Sequence, residues 1–164
     1  MEKTSPTFRS RPAFKLIGIE RYTENGVPSI REAWEAFSKR FHDIPNVIDR
    51  NQCYGFEDYS RDFVMKEGSF PKYYNIASQE VTSFDNLPEG MKAKEVPAAE
   101  YAVFSYQGPI SDLPKFFGYI YAEWMPASGF KMDPQVSSDF EFYSEPMKDM
   151  NDAKLEVWVP IVKK

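Results

Sequence analysis

One order of elements, strand then helix then strand then strand, can be read twice along this chain, and a duplicated unit restricts the fold more than any single motif does. The first copy opens with Phe14–Tyr22, a β-prone run closed by the turn signal Glu24-Asn25-Gly26. Pro28-Ser29-Ile30-Arg31-Glu32 follows, in which Ser29 and Glu32 have the form of a capping box. Ile30, Trp34, Phe37 and Phe41 then recur at helical spacing with Glu35, Lys39 and Arg40 between them, predicting an amphipathic helix that stops near Ile44-Pro45. Gln52–Glu57 and Lys72–Val81 read as two strands. After the connector Asn86–Met91 the order begins again with Glu100–Tyr106, closed by Gly108-Pro109. Ser111 or Asp112 can cap a second helix, with Pro114 in its first turn and Leu113, Phe117, Ile120, Tyr121 and Trp124 as its apolar stripe, until Pro126 and Gly129 end it. Asp139–Ser144 and Leu155–Val162 complete the second copy.

These patterns predict an α+β fold. A polar segment occupies residues 1–12, and a single domain covers 13–164 as two pseudo-symmetric halves of about 13–85 and 93–164. The aromatic strands Tyr54-Gly55-Phe56-Glu57 and Phe140-Glu141-Phe142-Tyr143 follow their helices by comparable loops, so a cleft between halves falls on the pseudo-symmetry axis. The later strand holds an acid where sheet-forming segments normally exclude one. Side chains alternate across a strand, so Glu141 and Tyr143 share one face while Phe140 and Phe142 share the other. If the face of Glu141 is enclosed, the carboxylate lies in a pocket and selects for positive charge.

Several function classes are disfavoured by what the chain lacks. The formal charge is −5 with no basic block, which argues against direct nucleic-acid binding. No run approaches the roughly 20 apolar residues that span a bilayer, and the start of the chain does not resemble a signal peptide, so the expected location is the cytoplasm. Cys53 is the only cysteine and His42 the only histidine, too few for a thiolate or imidazole metal cluster. No cofactor is expected.

Taken as an ordered set, Gly18 after an apolar strand, Trp34, Tyr54-Gly55, Pro88-Glu89-Gly90-Met91, Tyr101-Ala102-Val103-Phe104 with Gly108-Pro109, Trp124–Phe130, Asp139–Tyr143 and Glu156–Pro160 resemble the GyrI-like small-molecule-binding domain, also known as the AraC-type effector-binding domain. The resemblance implies two strand-helix-strand-strand units forming an antiparallel sheet around a pseudo-twofold axis, with helices on one side and a concave ligand groove on the other. It implies drug or metabolite sensing, with a glutamate deep among aromatics receiving cationic ligands, and that glutamate matches Glu141. A subset of the family is implied to hydrolyse strained electrophiles with the glutamate and a tyrosine. About a dozen residues precede the first strand, too few for a helix-turn-helix module, so a stand-alone member is expected.

The candidate ligand-binding residues are Glu141, Tyr143, Trp124, Trp158, Tyr54, Tyr106 and Tyr121, each aromatic among them being alternatively an ordinary core side chain. Trp34, Phe37, Phe41, Phe117 and Ile120 are read as core. The leading expectation is a binding protein for lipophilic, cationic or polarised small molecules. One alternative is a cofactor-independent hydrolase with Glu141 and Tyr143 as catalytic groups. Another is a gyrase-inhibitor-like interaction module with a protein partner. A tetrapyrrole carrier is a more remote option.

Overall fold

The computed structural model describes residues 2–164. Its strands are β1 (Thr7–Arg11), β2 (Phe14–Tyr22), β3 (Cys53–Asp58), β4 (Tyr74–Val81), β5 (Lys92–Val96), β6 (Ala99–Gly108), β7 (Phe130–Met132), β8 (Ser138–Tyr143) and β9 (Ala153–Lys163). Helix α1 (Val27–Arg40) connects β2 to β3, and α2 (Leu113–Tyr119) runs through a π-helical turn (Ile120–Trp124) into α3 (Met125–Ser128) before β7. The sheet order is β1-β6-β9-β8-β3-β4-β2-β5, with β7 pairing to β9. All of these pairings are antiparallel.

This order carries the duplication in its symmetry. One half contributes β3-β4-β2 and the other β8-β9-β6, so the seam is the β3–β8 ladder, in which Gly55 faces Glu141 and Glu57 faces Asp139. The α+β class, the antiparallel sheet and the paired helices are those expected. The segment expected to precede the domain instead supplies β1, whose Thr7–Arg11 ladder covers the outer edge of β6. Strands β5 and β7 were also not anticipated, because short, charged edge strands lack the apolar alternation by which strands are recognised.

Both faces of the sheet are buried. On one face α1 packs over Ile17, Ile19 and Ala77, while α2 and its continuation cover Ala102, Phe104, Val157 and Val159. The other face carries Phe14, Leu16, Tyr54, Phe56, Ile76, Tyr101, Phe140 and Trp158.

Two helix details depart from expectation. Ser29 does not cap α1: it lies inside the first turn, where its hydroxyl accepts the Asn25 N–H at 3.0 Å, and Gly26 occupies the cap position. The second helix buries Leu113, Phe116, Ile120 and Met125, not the stripe through Phe117 and Trp124. Leu113, Phe116 and Ile120 keep simple i, i+3, i+7 spacing, and beyond Ile120 the π turn inserts an extra residue, so that Met125 rather than Trp124 continues the buried face. Gly129, at φ 78°, ends the helical run in the left-handed conformation that favours glycine. None of the helices is long and apolar enough to cross a membrane.

Candidate functional site

The central ladder fixes which side chains meet. Across the helix-covered face, one row of the sheet runs Ala77, Gly55, Glu141, Val157, and the next runs Asn75, Glu57, Asp139. Glu141 is therefore the single acid in an otherwise apolar row, and a second and third acid stand beside it. The resemblance placed the groove on the side away from the helices. Glu141 instead points to the helix side, where Trp34 of α1 meets it. A methyl group at Gly55 would lie 3.2 Å from both Glu141 Oε1 and Trp34 Cζ2, so the missing side chain is what lets the carboxylate and the indole of α1 meet over the strand.

Phenols enclose the three acids. Tyr143 donates its hydroxyl hydrogen to Glu141 Oε1 at 2.6 Å and meets Trp34 edge-on, with ring centroids 5.6 Å apart. Tyr59, just beyond β3, donates to Asp139 Oδ2 at 2.8 Å, and Tyr121 from the π turn donates to the same oxygen. Tyr73 packs edge-on against Tyr59 at 5.3 Å. Glu57 and Asp139 are 3% and 0% exposed, whereas Glu141 is half-buried and so the most accessible of the three.

The electrostatics are unusual because no base answers these acids. Among the described residues, none of the three carboxylates lies within salt-bridge distance of a Lys, Arg or His. Burial pushes Glu57 well above the ordinary carboxylate range, and the charges of Glu141 and Asp139 push it further. Asp139 is raised by burial against the opposing effect of hydrogen bonds from Glu57, Tyr121 and Tyr59. Glu141 is raised by burial, against hydrogen bonds from Glu57 and Tyr143, with the Asp139 charge adding to the rise. Burial and mutual repulsion thus favour retention of a proton among the three acids, which titrate as one group. Burial, then the neighbouring acids, raise Tyr59, Tyr73, Tyr121 and Tyr143 as well, so these phenols remain hydrogen-bond donors.

Of the residues singled out from sequence, the structure brings together Glu141, Tyr143 and Tyr121. Tyr54 and Trp158 lie on the opposite face. There Tyr54 hydrogen-bonds Glu80 at 3.0 Å and Arg11 at 3.1 Å, while Trp158 stacks on Phe140 and donates to Glu156 at 3.2 Å. Strand parity decides this, since even-numbered residues of β3, β8 and β9 all point away from Glu141. Tyr106 bonds the Pro109 carbonyl at the far end of β6, and Trp124 packs edge-on against Phe104 at 5.1 Å. Trp34, read as core, stands over Glu141.

Sequence reasoning did not name Glu57, Asp139, Asn75, Tyr59 or Tyr73. A signal for two of them was present: Phe56-Glu57-Asp58-Tyr59 repeats the pattern of Phe140-Glu141-Phe142-Tyr143, and both copies put the glutamate on the same face of the sheet. Cys53 is half-buried, and burial pushes its thiol up to about 11, which does not suit a nucleophile. Among the described residues no cluster of His, Cys, Asp and Glu is arranged to hold a metal ion.

Known proteins share both sequence and architecture with this chain. The transcriptional regulator BrlR of Pseudomonas aeruginosa is 28% identical over 153 residues, which are 92% of this chain and 53% of that protein. The chain thus spans about half the length of this relative. The structure of SAV2435 bound to tetraphenylphosphonium matches with a TM-score of 0.65 at 17% identity, covering 97% of this chain and 94% of that one. A hydrolase encoded by lin2189 from Listeria innocua matches with a TM-score of 0.55 at 13% identity, covering 98% and 93%. The profile of one family, described as the GyrI-like small molecule binding domain, matches residues 4–162, the span that builds β1 to β9, and the chain belongs to that family.

Proposed function

We propose that this small-molecule-binding domain receives lipophilic cations between α1 and the π turn, with Glu141 setting the charge preference and Trp34, Tyr121 and Tyr143 forming the walls. The observation that carries the reading is a half-buried carboxylate, flanked by two buried acids, with no basic partner among the described residues. A bound cation supplies the missing countercharge. It gains Coulomb attraction from Glu141 and about 0.5–2 kcal/mol from each ring face it covers. The tetraphenylphosphonium carried by SAV2435 supports the same ligand class. The regulator relative supports a sensing or sequestering role in the cytoplasm.

Titration with tetraphenylphosphonium and with neutral triphenylphosphine oxide, in wild type and Glu141→Gln, tests this. The variant should lose most of its affinity for the phosphonium and little for the oxide. Equal losses for both would remove the ionic role.

A second reading, cofactor-independent hydrolysis, is favoured by three clustered acids, each raised by burial, beside the Tyr143 hydroxyl that donates to Glu141, a grouping suited to a general acid. The Listeria innocua hydrolase supports it by fold alone. Product formation from a strained electrophile such as an epoxide, abolished in Glu141→Gln with the fold retained, would select this reading. Stoichiometric binding without product would select the receptor.

A further inference from the structure

On the face of the sheet turned away from the helices, an acid and several rings surround a cation that the chain supplies itself. Strands β1 and β2 stand near opposite ends of the sheet order, yet only Pro12 and Ala13 join them, so the sheet curves and brings its two ends near each other. Arg11, the last residue of β1, reaches into that curve. Its guanidinium carbon lies 3.7 Å from the centre of the Phe14 ring, 5.4 Å from Tyr54, 5.7 Å from Phe140 and 5.9 Å from Trp158. Its Nη2 donates to Glu80 Oε1 at 2.8 Å and to the Tyr54 hydroxyl at 3.1 Å. Ring faces with a carboxylate at their rim are how proteins receive cationic ligands, and here the side chains of Arg11 and Glu80 keep 17% and 20% of their surface open to solvent.

Two observations mark Arg11 as a replaceable occupant. The first is how little holds β1: Thr7, Phe8, Arg9 and Ser10 are exposed, and the strand is paired along one side only, to β6. Segments with so little burial open at low cost. The second is an incomplete fit. Among the described residues the side-chain hydrogen bonds of Arg11 all come from Nη2, which leaves its other donors unused. Tyr101 meets Phe140 and Trp158 edge-on at 5.5 Å on the same face, and its buried hydroxyl has no partner. Burial pushes this phenol up to about 12 while the Arg11 charge opposes the rise, so the hydroxyl lies within electrostatic reach of the guanidinium. Buried polar atoms are almost always paired, and a cation free of the backbone can turn to meet more of them.

We propose that this face is a second cation site, closed in the free protein by Arg11 as an autoinhibitory latch, and that planar N–H cations such as an alkylguanidinium or an amidinium displace the latch and take its place. A tethered guanidinium competes at an effective concentration on the order of millimolar, which sets the threshold a free cation must exceed. The site is separate from Glu141, whose side chain lies on the opposite face. Tetraphenylphosphonium, which has no N–H to offer Glu80, is not its ligand.

Ethylguanidinium, which restores the atoms that Arg11→Ala removes, and ethylurea, its neutral planar counterpart, test this on the whole chain. In Arg11→Ala, about 20 mM ethylguanidinium should restore at least half of the lost Tm and ethylurea none. Wild type should bind ethylguanidinium at least about tenfold more weakly than the variant, because Arg11 must leave first. As it binds, the Arg11 Nε–H signal in NMR spectra should move to the position of a solvated arginine. Adding Glu141→Gln to Arg11→Ala should leave the restoration unchanged. No restoration of a folded Arg11→Ala, or an equal gain from ethylurea, overturns the cation site. Equal affinity in wild type and variant, or a wild-type Arg11 signal that stays in place up to about 200 mM ligand, overturns the latch. The wild-type spectra decide that point whether or not Arg11→Ala folds. Loss of the restoration with Glu141→Gln assigns the ligand to the helix side and overturns the second site.

Discussion

Glu57 and Asp139 face each other on the two central strands, buried, with no basic side chain within salt-bridge distance of either among the described residues. An acid pair of this kind destabilises the empty protein and is retained at a cost. With no base to offset it, the pair makes the stability of the molecule depend on pH.

Stability should fall as the solution becomes alkaline. Glu57, Asp139 and Glu141 all have folded-state values above those of an unfolded chain, so the folded state binds more protons in that window. Their contribution is fully present below the unfolded carboxylate values and is lost as pH rises through the raised folded values. Thermal melts from pH 4 to 9 should show this slope, and Glu57→Gln should flatten it and raise Tm near pH 8 by about 2–4 °C for each kcal/mol relieved. A slope unchanged by the substitution would mean that Glu57 is already ionised at neutral pH.

Cation affinity should move the opposite way, rising with pH as Glu141 ionises. Burial raises Glu141, and the 2.6 Å hydrogen bond from Tyr143 partly offsets this by favouring the charged form. Tyr143→Phe removes about 1 kcal/mol of that stabilisation, which should weaken phosphonium binding several-fold at pH 7 and displace its pH midpoint upward. Fluorescence titrations across pH 5–9 measure both effects.

Gly55→Ala should damage the site while leaving the fold in place. Its methyl would press on Glu141 Oε1 and Trp34 Cζ2 at 3.2 Å, closer than an ordinary contact, and one of the two must give way. We expect about a tenfold loss of cation affinity and a shift in tryptophan emission, with the far-ultraviolet circular dichroism unchanged.

Arg11→Met should separate stability from binding. Arg11 lies on the face opposite Glu141, paired with Glu80 at 2.8 Å and stacked 3.7 Å above the Phe14 ring. Both partners are largely covered, so removing the base leaves Glu80 without its charge partner and should lower stability by about 2 kcal/mol, near 5 °C in Tm. The ratio of phosphonium to phosphine-oxide affinity should not change, and a change would place Tyr54 and Trp158 back in the binding region.

The duplicated order of elements, the amphipathic α1 and the alternation in β8 and β9 were legible in the sequence because each is a local pattern of apolar spacing. Glu141 was legible too, since an acid inside an aromatic strand needs no partner to be conspicuous. What lay beyond the sequence were relations between segments far apart in the chain. Whether Tyr54 and Trp158 share a pocket with Glu141 depends on the registers of β3 on β8 and β8 on β9, and a shift of one residue would exchange the faces. The π turn that brings Tyr121 to Asp139 leaves no mark in apolar spacing, because its extra residues break the period by which helices are read. Glu57 became an unpaired acid only when the sheet set it against Asp139 and no base arrived from elsewhere. The sequence by itself determined two strand-helix-strand-strand halves and one misplaced carboxylate. Folding alone decided that three acids would share a site, because desolvation and charge repulsion act between side chains brought together by long-range pairing, and that pairing is encoded in no single stretch of the chain.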